Sequence, residues 1–307
     1  MSNLAALLRQ GEFVVTAELN PPKSASATAV KRRAGVLKGN VDAVNVTDSN
    51  HAIAAMAAIP AALLVRDAGV EPIVQVVGRD RNRIALQADV LGAAALGLPN
   101  FLFMSGDDPK YGNHPDAVHV KDLDGVGLVK MAATMRDDHK FLSGDEMRQA
   151  PQIFIGATSS PFIKPMTADL EKTVAKINAG ADFLQTQPIF DLATFSQWLA
   201  ELRRVGGARE AAVIAGVLVL RSAEQAERFA RIPGVVLGPE VIDRLKKAAD
   251  AEQEGIAIAV ATAKSLRALP GVHGVHLYAI EWPEAVPLVA ERAGFLPRPK
   301  VVKESNS

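Results

Sequence analysis

The sequence predicts an α/β protein of the (β/α)8 TIM-barrel class, and three observations lead to this prediction. Eight short apolar segments along the 307 residues are each followed by a helical pattern. Several of these segments are apolar without interruption, as in parallel strands that are covered on both faces. Strict alternation of strand and helix favours parallel βαβ units, and eight such units in a chain of this length favour a closed barrel.

Each predicted strand is a short apolar run bounded by turn-forming residues. The strands span residues 13–18, 42–47, 72–77, 101–104, 152–157, 182–186, 212–218 and 275–280. Most predicted helices begin near a capping residue or end at glycine. They span residues 24–37, 52–68, 79–96, 123–137, 167–180, 191–205, 222–231, 240–251, 255–269 and 284–293, which places extra helices before the last strand. Pro60 is expected to kink or restart the second helix.

The alternative architecture is a doubly wound open sheet. A dinucleotide site in such a sheet carries Gly-x-Gly-x-x-Gly after the first strand, whereas this chain has Asn-Pro-Pro-Lys at 20–23. No short repeat, low-complexity segment or interdomain linker stands out. We therefore predict a single barrel domain over residues 1–299 and a disordered tail over residues 300–307.

Composition narrows the function classes. The formal net charge is +0, so the chain shows no basic footprint for nucleic acid or for a membrane surface. Cysteine is absent, which excludes disulfides, thiolate metal sites and a cysteine nucleophile. The first 13 residues lack the features of a signal peptide, and no uncharged apolar run reaches the roughly 20 residues that span a bilayer. We expect a cytoplasmic protein, and homo-oligomerisation stays open.

The end of the fourth strand is the best single clue to function. Its apolar run stops at Ser105-Gly106-Asp107-Asp108-Pro109. In α/β proteins the carboxyl ends of parallel strands are where chemistry is placed, and glycine lets a ligand approach the backbone closely. The same residues would also make an ordinary turn.

Other predicted strands also end in polar residues. In a barrel, the carboxyl ends would contribute Glu18, Thr47, Gln75, Asp107, Gln185, Gln187, Arg221 and Glu281. Neither a His-x-x-x-His metal motif nor a Gly-x-Ser-x-Gly elbow occurs. Carboxylates and amides suit hydrogen bonding to a nitrogen-rich heterocycle, with one carboxyl as general acid. Glu18 is the candidate acid because burial raises the pKa of a carboxyl; an ion pair across the barrel mouth is its alternative role.

Asp169 and Lys176 are seven residues apart on one predicted helix, two turns along the same face. A carboxylate and an ammonium in this arrangement could hold a ribose hydroxyl and a phosphate. The alternatives are an aspartate that stabilises the helix dipole and a solvated surface lysine.

Six further segments carry a family resemblance. They read Ala-Glu-Leu-Asn-Pro-Pro-Lys at 17–23, Val-Asn-Val-Thr-Asp at 44–48, Arg-Asp-Arg-Asn-Arg at 79–83, Gly-Asp-Asp-Pro at 106–109, Ala-Gly-Ala-Asp-Phe-Leu-Gln-Thr-Gln-Pro-Ile-Phe-Asp at 179–191 and Glu-Arg-Ala-Gly-Phe-Leu-Pro-Arg-Pro at 291–299. In number and order, these segments resemble the methylenetetrahydrofolate reductases over essentially the whole chain.

The resemblance implies a (β/α)8 barrel with non-covalent FAD. In that family a reduced nicotinamide, NADH or NADPH, gives hydride to the flavin, which reduces 5,10-methylenetetrahydrofolate to 5-methyltetrahydrofolate for methionine supply. By resemblance, Glu18 is the general acid, while Asp107 and Gln187 bind folate. The implied cofactor contacts are Thr47, Gln75, Ser105, Gly106, Asp107, Asp169 and Lys176, and no metal is implied.

The chain departs from better-known members at several of these positions. Ser105 stands where an arginine is common, Gln75 aligns with a histidine, and Ala223 aligns near a folate-stacking phenylalanine. No aromatic residue lies near Gly156 and Ala157, where some members pack one on the cofactor. A divergent branch is therefore expected. Its alternatives are tetrahydrofolate-dependent methyl transfer or demethylation, folate reduction without FAD, and a folate-binding subunit without turnover of its own.

Overall fold

Eight parallel strands close into a barrel in the computed structural model, which describes residues 2–206, 210–232 and 234–302. Each strand pairs in parallel with its sequence neighbours, and β1 pairs with β8 to complete the ring. The strands are β1 Val14–Leu19, β2 Ala43–Val46, β3 Pro72–Val77, β4 Asn100–Met104, β5 Phe154–Ser159, β6 Phe183–Pro188, β7 Ala212–Leu218 and β8 Gly274–Tyr278. The predicted fold class is confirmed.

Helices connect the strands and cover the outside of the barrel. They are α1 Asn3–Arg9, α2 Ala27–Leu37, α3 Ala58–Asp67, α4 Arg83–Ala95, α5 Gly125–Ala133, α6 Met166–Asn178, α7 Leu192–Val205, α8 Ala223–Phe229, α9 Pro239–Lys247, α10 Ala251–Ala268 and α11 Ala285–Arg292. The extra helices predicted before the last strand are confirmed as α9 and α10. Asp250 separates them, because its side chain accepts the Gln253 N–H and caps α10.

Alternate residues of each strand face either the helices or the barrel interior. In β1, Val15 and Ala17 belong to the large core between strands and helices. Val14 instead packs with one inward residue from each of six other strands, in an apolar layer across the lower end of the barrel. Thr16 and Glu18 follow Val14 at a spacing of two, so they face the interior above this layer.

A helix that the sequence analysis did not predict closes the lower end of the barrel. Helix α1 packs Leu4, Ala5 and Leu7 against the inward apolar layer. The carboxylate of Glu71 holds its first turn by accepting the N–H groups of Asn3, at 2.9 Å, and Leu4, at 3.0 Å. With 7 residues, α1 is too short for helical periodicity to be evident in the sequence.

Several predicted boundaries were wrong. The helix predicted over 79–96 begins at Arg83, after its cap Asn82, and the helix predicted over 255–269 begins at Ala251. Three further differences have local reasons. The helix predicted over 52–68 begins at Ala58, because Pro60 is tolerated only in the first turn of a helix. Strand β5 lies two residues later than predicted, since its pairing with β4 starts at Phe154. Strand β8 ends at Tyr278, and Glu281 lies in the following loop with a left-handed backbone, φ 51°.

Of the predicted disordered tail, residues 303–307 lie outside the described residues. Just before the tail, the guanidinium of Arg298 binds the carboxylate of Asp42 and donates to the carbonyl oxygens of Phe13, at 2.7 Å, and Phe295, at 2.8 Å. The two charged side chains are only 9% and 2% exposed. This buried ion pair fastens the end of the described chain to the entrances of β1 and β2.

We predict that Arg298→Ala lowers the free energy of unfolding by about 3–5 kcal/mol, because it leaves the buried carboxylate of Asp42 without its counter-charge. The control is Arg204→Ala, which removes a solvent-exposed pair with Glu201 and should leave the free energy of unfolding nearly unchanged. Urea unfolding of both variants measures the difference. Equal losses would show that the Arg298 pair is not a structural anchor.

Candidate active site

The carboxyl ends of the strands form the mouth of the barrel, and four predicted site residues lie there. Glu18 is near the end of β1 and Gln187 is near the end of β6, while Thr47 follows β2 and Asp107 follows β4. A closed parallel barrel places these positions at one end. Their side-chain environments nevertheless differ.

Glu18 faces the interior with one carboxylate oxygen removed from water. Its Oε1 is buried and has no hydrogen-bond partner among the described residues. Desolvation raises the pKa of Glu18 to about 7; the charge of His51 opposes this shift, and that of Glu281 adds to it. Near neutral pH, Glu18 can therefore both hold and release a proton.

A chain of hydrogen bonds crosses the barrel at the level of Glu18. Asn45, which is in register with Glu18, donates from Nδ2 to Oε1 of Gln185 at 2.8 Å. Gln185 donates from Nε2 to the Tyr278 hydroxyl at 3.2 Å, and Tyr278 donates to the carbonyl of Thr186 at 3.0 Å. Among the described residues, Oδ1 of Asn45 has no partner, and none of these side chains reaches the buried oxygen of Glu18.

His276 is the histidine inside the barrel, and burial keeps it neutral. Its Nδ1 lies 2.9 Å from the hydroxyl oxygen of Thr16, and its ring meets that of Tyr278 edge-on at a centroid distance of 4.4 Å. Desolvation lowers the pKa of His276 to about 3. Near pH 7 it is therefore a neutral imidazole and not an imidazolium that could act as an acid toward Glu18.

A cavity of about 430 Å³ opens at the mouth between the loops that follow β1, β2 and β8. Within its lining, Arg33 pairs with Glu281 at 2.9 Å and donates to the carbonyl of Asn20. Thr47, a predicted cofactor contact, donates its hydroxyl to Oδ1 of Asn20 at 2.9 Å. Side-chain hydrogen bonds thus organise this part of the mouth.

Asp107 pairs with His51, a residue that the sequence analysis did not single out. Oδ2 of Asp107 is 3.6 Å from Nδ1 of His51, and the side chains are 56% and 59% exposed. His51 lowers the pKa of Asp107, and Asp107 raises that of His51. The two form an ion pair at the mouth. The available sequence signal was the position of His51, shortly after the end of β2.

Two arginines of the Arg-Asp-Arg-Asn-Arg segment position the loops of the rim. Arg79, whose side chain is buried, donates to the carbonyl oxygens of Ser49 at 3.2 Å and Asp107 at 3.5 Å. Arg81 pairs with the carboxylate of Asp48. Loops that follow β2, β3 and β4 are therefore linked to one another by charge-assisted contacts.

Three predicted cofactor positions have roles within the protein itself. Gly106 has φ 87°, and a Cβ there would crowd the end of β3 at 3.1 Å. Ser105 accepts the N–H of Gly125 at 3.1 Å. Lys176 donates from Nζ to the carbonyl of Thr158 at 2.6 Å, and desolvation lowers its pKa.

Asp169 is buried, and both of its carboxylate oxygens are engaged. Oδ1 accepts the N–H of Ser160 at 2.9 Å, and Oδ2 accepts the indole N–H of Trp198 at 2.9 Å. The hydroxyl of Thr173 is 3.4 Å from Oδ2. Asp169 thus ties α6 to the loop after β5 and to α7.

Two glutamines at the mouth make no side-chain hydrogen bond to the rest of the described chain. Gln75 is buried and lies two residues after the inward-facing Ile73 of β3. Gln187 lies at a bulge of β6, between the register positions of Gln185 and Pro188. Because neither amide is engaged by a side-chain hydrogen bond within the described chain, both remain available to a ligand.

Within the described ranges, no cluster of histidine and carboxylate side chains has the arrangement of a metal site. The same ranges contain no helix with the length and apolar character needed to cross a bilayer.

Fold and mouth together define a (β/α)8 barrel that carries a carboxyl of near-neutral pKa on its first strand. The chain belongs to the methylenetetrahydrofolate reductase family, because the family model described as methylenetetrahydrofolate reductase matches residues 3–294. The family resemblance noted from the sequence is thereby confirmed.

Individual relatives are more distant. The chain is 26% identical over 125 residues to methylenetetrahydrofolate reductase 1 of Schizosaccharomyces pombe, which covers 39% of this chain and 20% of that protein. It is 23% identical over 195 residues to a probable methylenetetrahydrofolate reductase (NADPH) of Caenorhabditis elegans, covering 61% of this chain and 26% of that protein. The matches thus span about a quarter or less of the curated relatives.

A solved structure supports the fold. An uncharacterized protein from Clostridium thermocellum, described as binding two copies of 5-methyl-5,6,7,8-tetrahydrofolic acid, superposes with a TM-score of 0.66. The match covers 94% of this chain and 99% of that protein at 13% identity.

We predict that Glu18 makes the protein less stable as pH rises. Because folding raises the pKa of Glu18 from 4.5 to about 7, the folded state holds this proton more tightly than the unfolded state does. The free energy of unfolding of Glu18→Gln minus that of wild type should therefore increase by on the order of 3 kcal/mol when the pH is raised from 5 to 8.

Urea unfolding at both pH values measures this change, and the exposed substitution Glu12→Gln should follow wild type. A Glu18→Gln difference that stays constant with pH would contradict the buried, raised-pKa carboxyl.

Proposed function

We propose that this protein is a cytoplasmic folate enzyme that reduces 5,10-methylenetetrahydrofolate to 5-methyltetrahydrofolate with a reduced nicotinamide, NADH or NADPH. The observation that carries the proposal is Glu18, a carboxyl with a pKa of about 7 at the mouth of a barrel of this family. Binding of a methyltetrahydrofolate by the structural neighbour supports a folate as ligand. The product would supply methyl groups for methionine synthesis.

The reaction requires a proton as well as a hydride. When Glu18 gives its proton to N10 of the folate, the bond between N10 and the bridging carbon breaks and an iminium forms at N5. Hydride addition to that carbon then gives the methyl group. Glu18 remains as a carboxylate in surroundings that disfavour its charge, which favours its reprotonation.

Asp107, Gln187 and Gln75 supply the groups that would orient the folate ring. The lowered pKa of Asp107 keeps its carboxylate ionised, so it can accept hydrogen bonds from ring and amino N–H groups. The amides of Gln187 and Gln75 can donate and accept, and neither is committed to another side chain of the described protein.

The family resemblance implies that FAD carries the hydride from nicotinamide to folate. The mouth cavity has room for part of a flavin ring beside Thr47, and the uncommitted amide of Gln75, which does not line that cavity, could hydrogen-bond such a ring. Asp169 and Lys176, expected to hold the far half of the cofactor, are engaged by Trp198, Ser160 and Thr158 instead. The donor set therefore does not fit the whole of FAD, and the proton chemistry of Glu18 does not depend on it.

A second candidate function is folate reduction directly from the nicotinamide, without FAD. The engaged carboxylate of Asp169 and ammonium of Lys176 favour it. The same pocket and the same acid, Glu18, would serve in either case.

We predict that Glu18→Gln lowers folate reduction at least about 100-fold, the lower range of general acid catalysis, because an amide cannot deliver the proton. Binding of 5-methyltetrahydrofolate should persist, since Gln keeps the size of the side chain. Nicotinamide oxidation and chromatographic detection of the methyl product measure the first effect, and calorimetry the second. Glu284→Gln, on the exposed surface before α11, is the control. Normal folate reduction by Glu18→Gln would overturn the acid assignment.

We predict that FAD added to the pure protein does not stay bound through gel filtration, because Asp169 and Lys176 are committed to internal contacts. The visible spectrum before and after anaerobic addition of a reduced nicotinamide measures flavin content and its reduction. A stoichiometric flavin spectrum that bleaches with nicotinamide would instead establish the FAD-dependent route and rule out the second candidate.

A further inference from the structure

His51 is a histidine of the barrel mouth that the proposed reaction has not used. It has a left-handed backbone, φ 54°, as do Ser49, φ 47°, and Ala52, φ 55°. Three non-glycine residues in this region within four positions are unusual, and such strained segments persist only where their surroundings hold them.

Contacts outside the imidazole hold this loop in place. Arg79 donates to the carbonyls of both Ser49 and Asp107, which joins the loops after β2 and β4. These loops also meet at Gly112, where a Cβ would lie 1.9 Å from the carbonyl oxygen of Ala52. The backbone of His51 is therefore positioned by the rim rather than by its own ion pair.

The imidazole interacts with two carboxylates of different exposure. Its Nδ1 is 3.6 Å from Oδ2 of Asp107. His51 lines the mouth cavity together with Asn20, Arg33 and Glu281, and the same three residues border the adjoining crevice that Glu18 lines. Each of His51 and Glu18 also shifts the pKa of the other. Two other charged groups act on these carboxylates: Arg79 acts on Asp107, and Glu281 acts on Glu18. His51 is 59% exposed, whereas Oε1 of Glu18 is buried.

We propose that His51, held by Asp107, returns a proton to Glu18 after each turnover. This inference rests on the proposed function. In the step, the N–H bond of the imidazolium breaks, its proton passes to the Glu18 carboxylate through one bridging water, and the neutral imidazole takes a proton from bulk water. His51 touches no reacting atom of the folate, so it acts as a positioning and relay residue for Glu18.

Two features suit His51 to this relay. Asp107, 3.6 Å from Nδ1, raises the pKa of His51 and so favours the imidazolium form. The exposure of His51 gives it contact with water that the buried oxygen of Glu18 lacks. His276, the other nearby imidazole, is neutral and cannot replace it.

His51→Asn tests the relay, because asparagine tolerates the left-handed backbone but cannot carry a proton. We expect kcat at pH 7 to fall at least tenfold and added imidazole to restore it in a concentration-dependent manner. Loss of the positive charge should also raise the pKa of Glu18, so the alkaline limb of the rate profile should move to higher pH. His114→Asn, in the exposed loop after β4, should behave as wild type.

A titration without substrates separates this inference from the proposed function. Infrared difference spectroscopy of the Glu18 carboxyl, identified with Glu18→Gln, should give a higher pKa in His51→Asn than in wild type. A wild-type rate and an unchanged pH profile in His51→Asn would overturn the relay alone. The relay would also be overturned if His51→Asn had a lower rate that imidazole did not restore and if the pKa of Glu18 in this variant were the same as in wild type. Failure of the wild-type protein to reduce folate would overturn the proposed function and the relay with it.

Discussion

The removal of one Glu18 oxygen from water is the constraint on which the site depends. Side chains that point into a closed barrel are shielded from water, so the polar ones among them need partners inside the barrel. Asn45, Gln185 and Tyr278 hydrogen-bond to one another, whereas Oε1 of Glu18, like Oδ1 of Asn45, has no partner among the described residues. The carboxyl therefore retains its proton because of where the barrel places it, and its pKa is a property of the fold as much as of the residue.

The rim converts this buried group into a site that can exchange protons and bind a ligand. Arg79 links the loops after β2 and β4, and this brings the imidazole of His51 to Asp107. The mouth thus combines an exposed His51–Asp107 pair with a buried carboxyl that is only partly ionised near pH 7. The amides of Gln75 and Gln187 add hydrogen-bonding capacity without adding charge.

The barrel was predictable because its signal is local and repeated. Each strand is short, apolar on its outer face and followed by a helix, so strand order followed from chain order. The mouth positions of Glu18, Thr47, Asp107 and Gln187 were predictable for the same reason, since a residue at a strand end keeps that location whatever surrounds it.

The contacts at the mouth were not predictable, because they join residues far apart in the chain. His51 meets Asp107 only through a left-handed loop that Arg79 supports. Likewise, the seven-residue spacing of Asp169 and Lys176 suggested a shared helix face but gave no indication that Trp198, on another helix, would occupy the carboxylate. The spacing of residues in the sequence shows which groups are neighbours on one helix or strand. It does not show which residues of other helices and strands form hydrogen bonds with them.

The short helix α1 has a consequence for substrate entry and product release. Leu4, Ala5 and Leu7 pack across the lower end of the barrel and close it. Substrate that reaches Glu18 and product that leaves it therefore both pass through the mouth of the barrel. A product that dissociates slowly therefore blocks binding of the next substrate, so the rate of product release limits turnover.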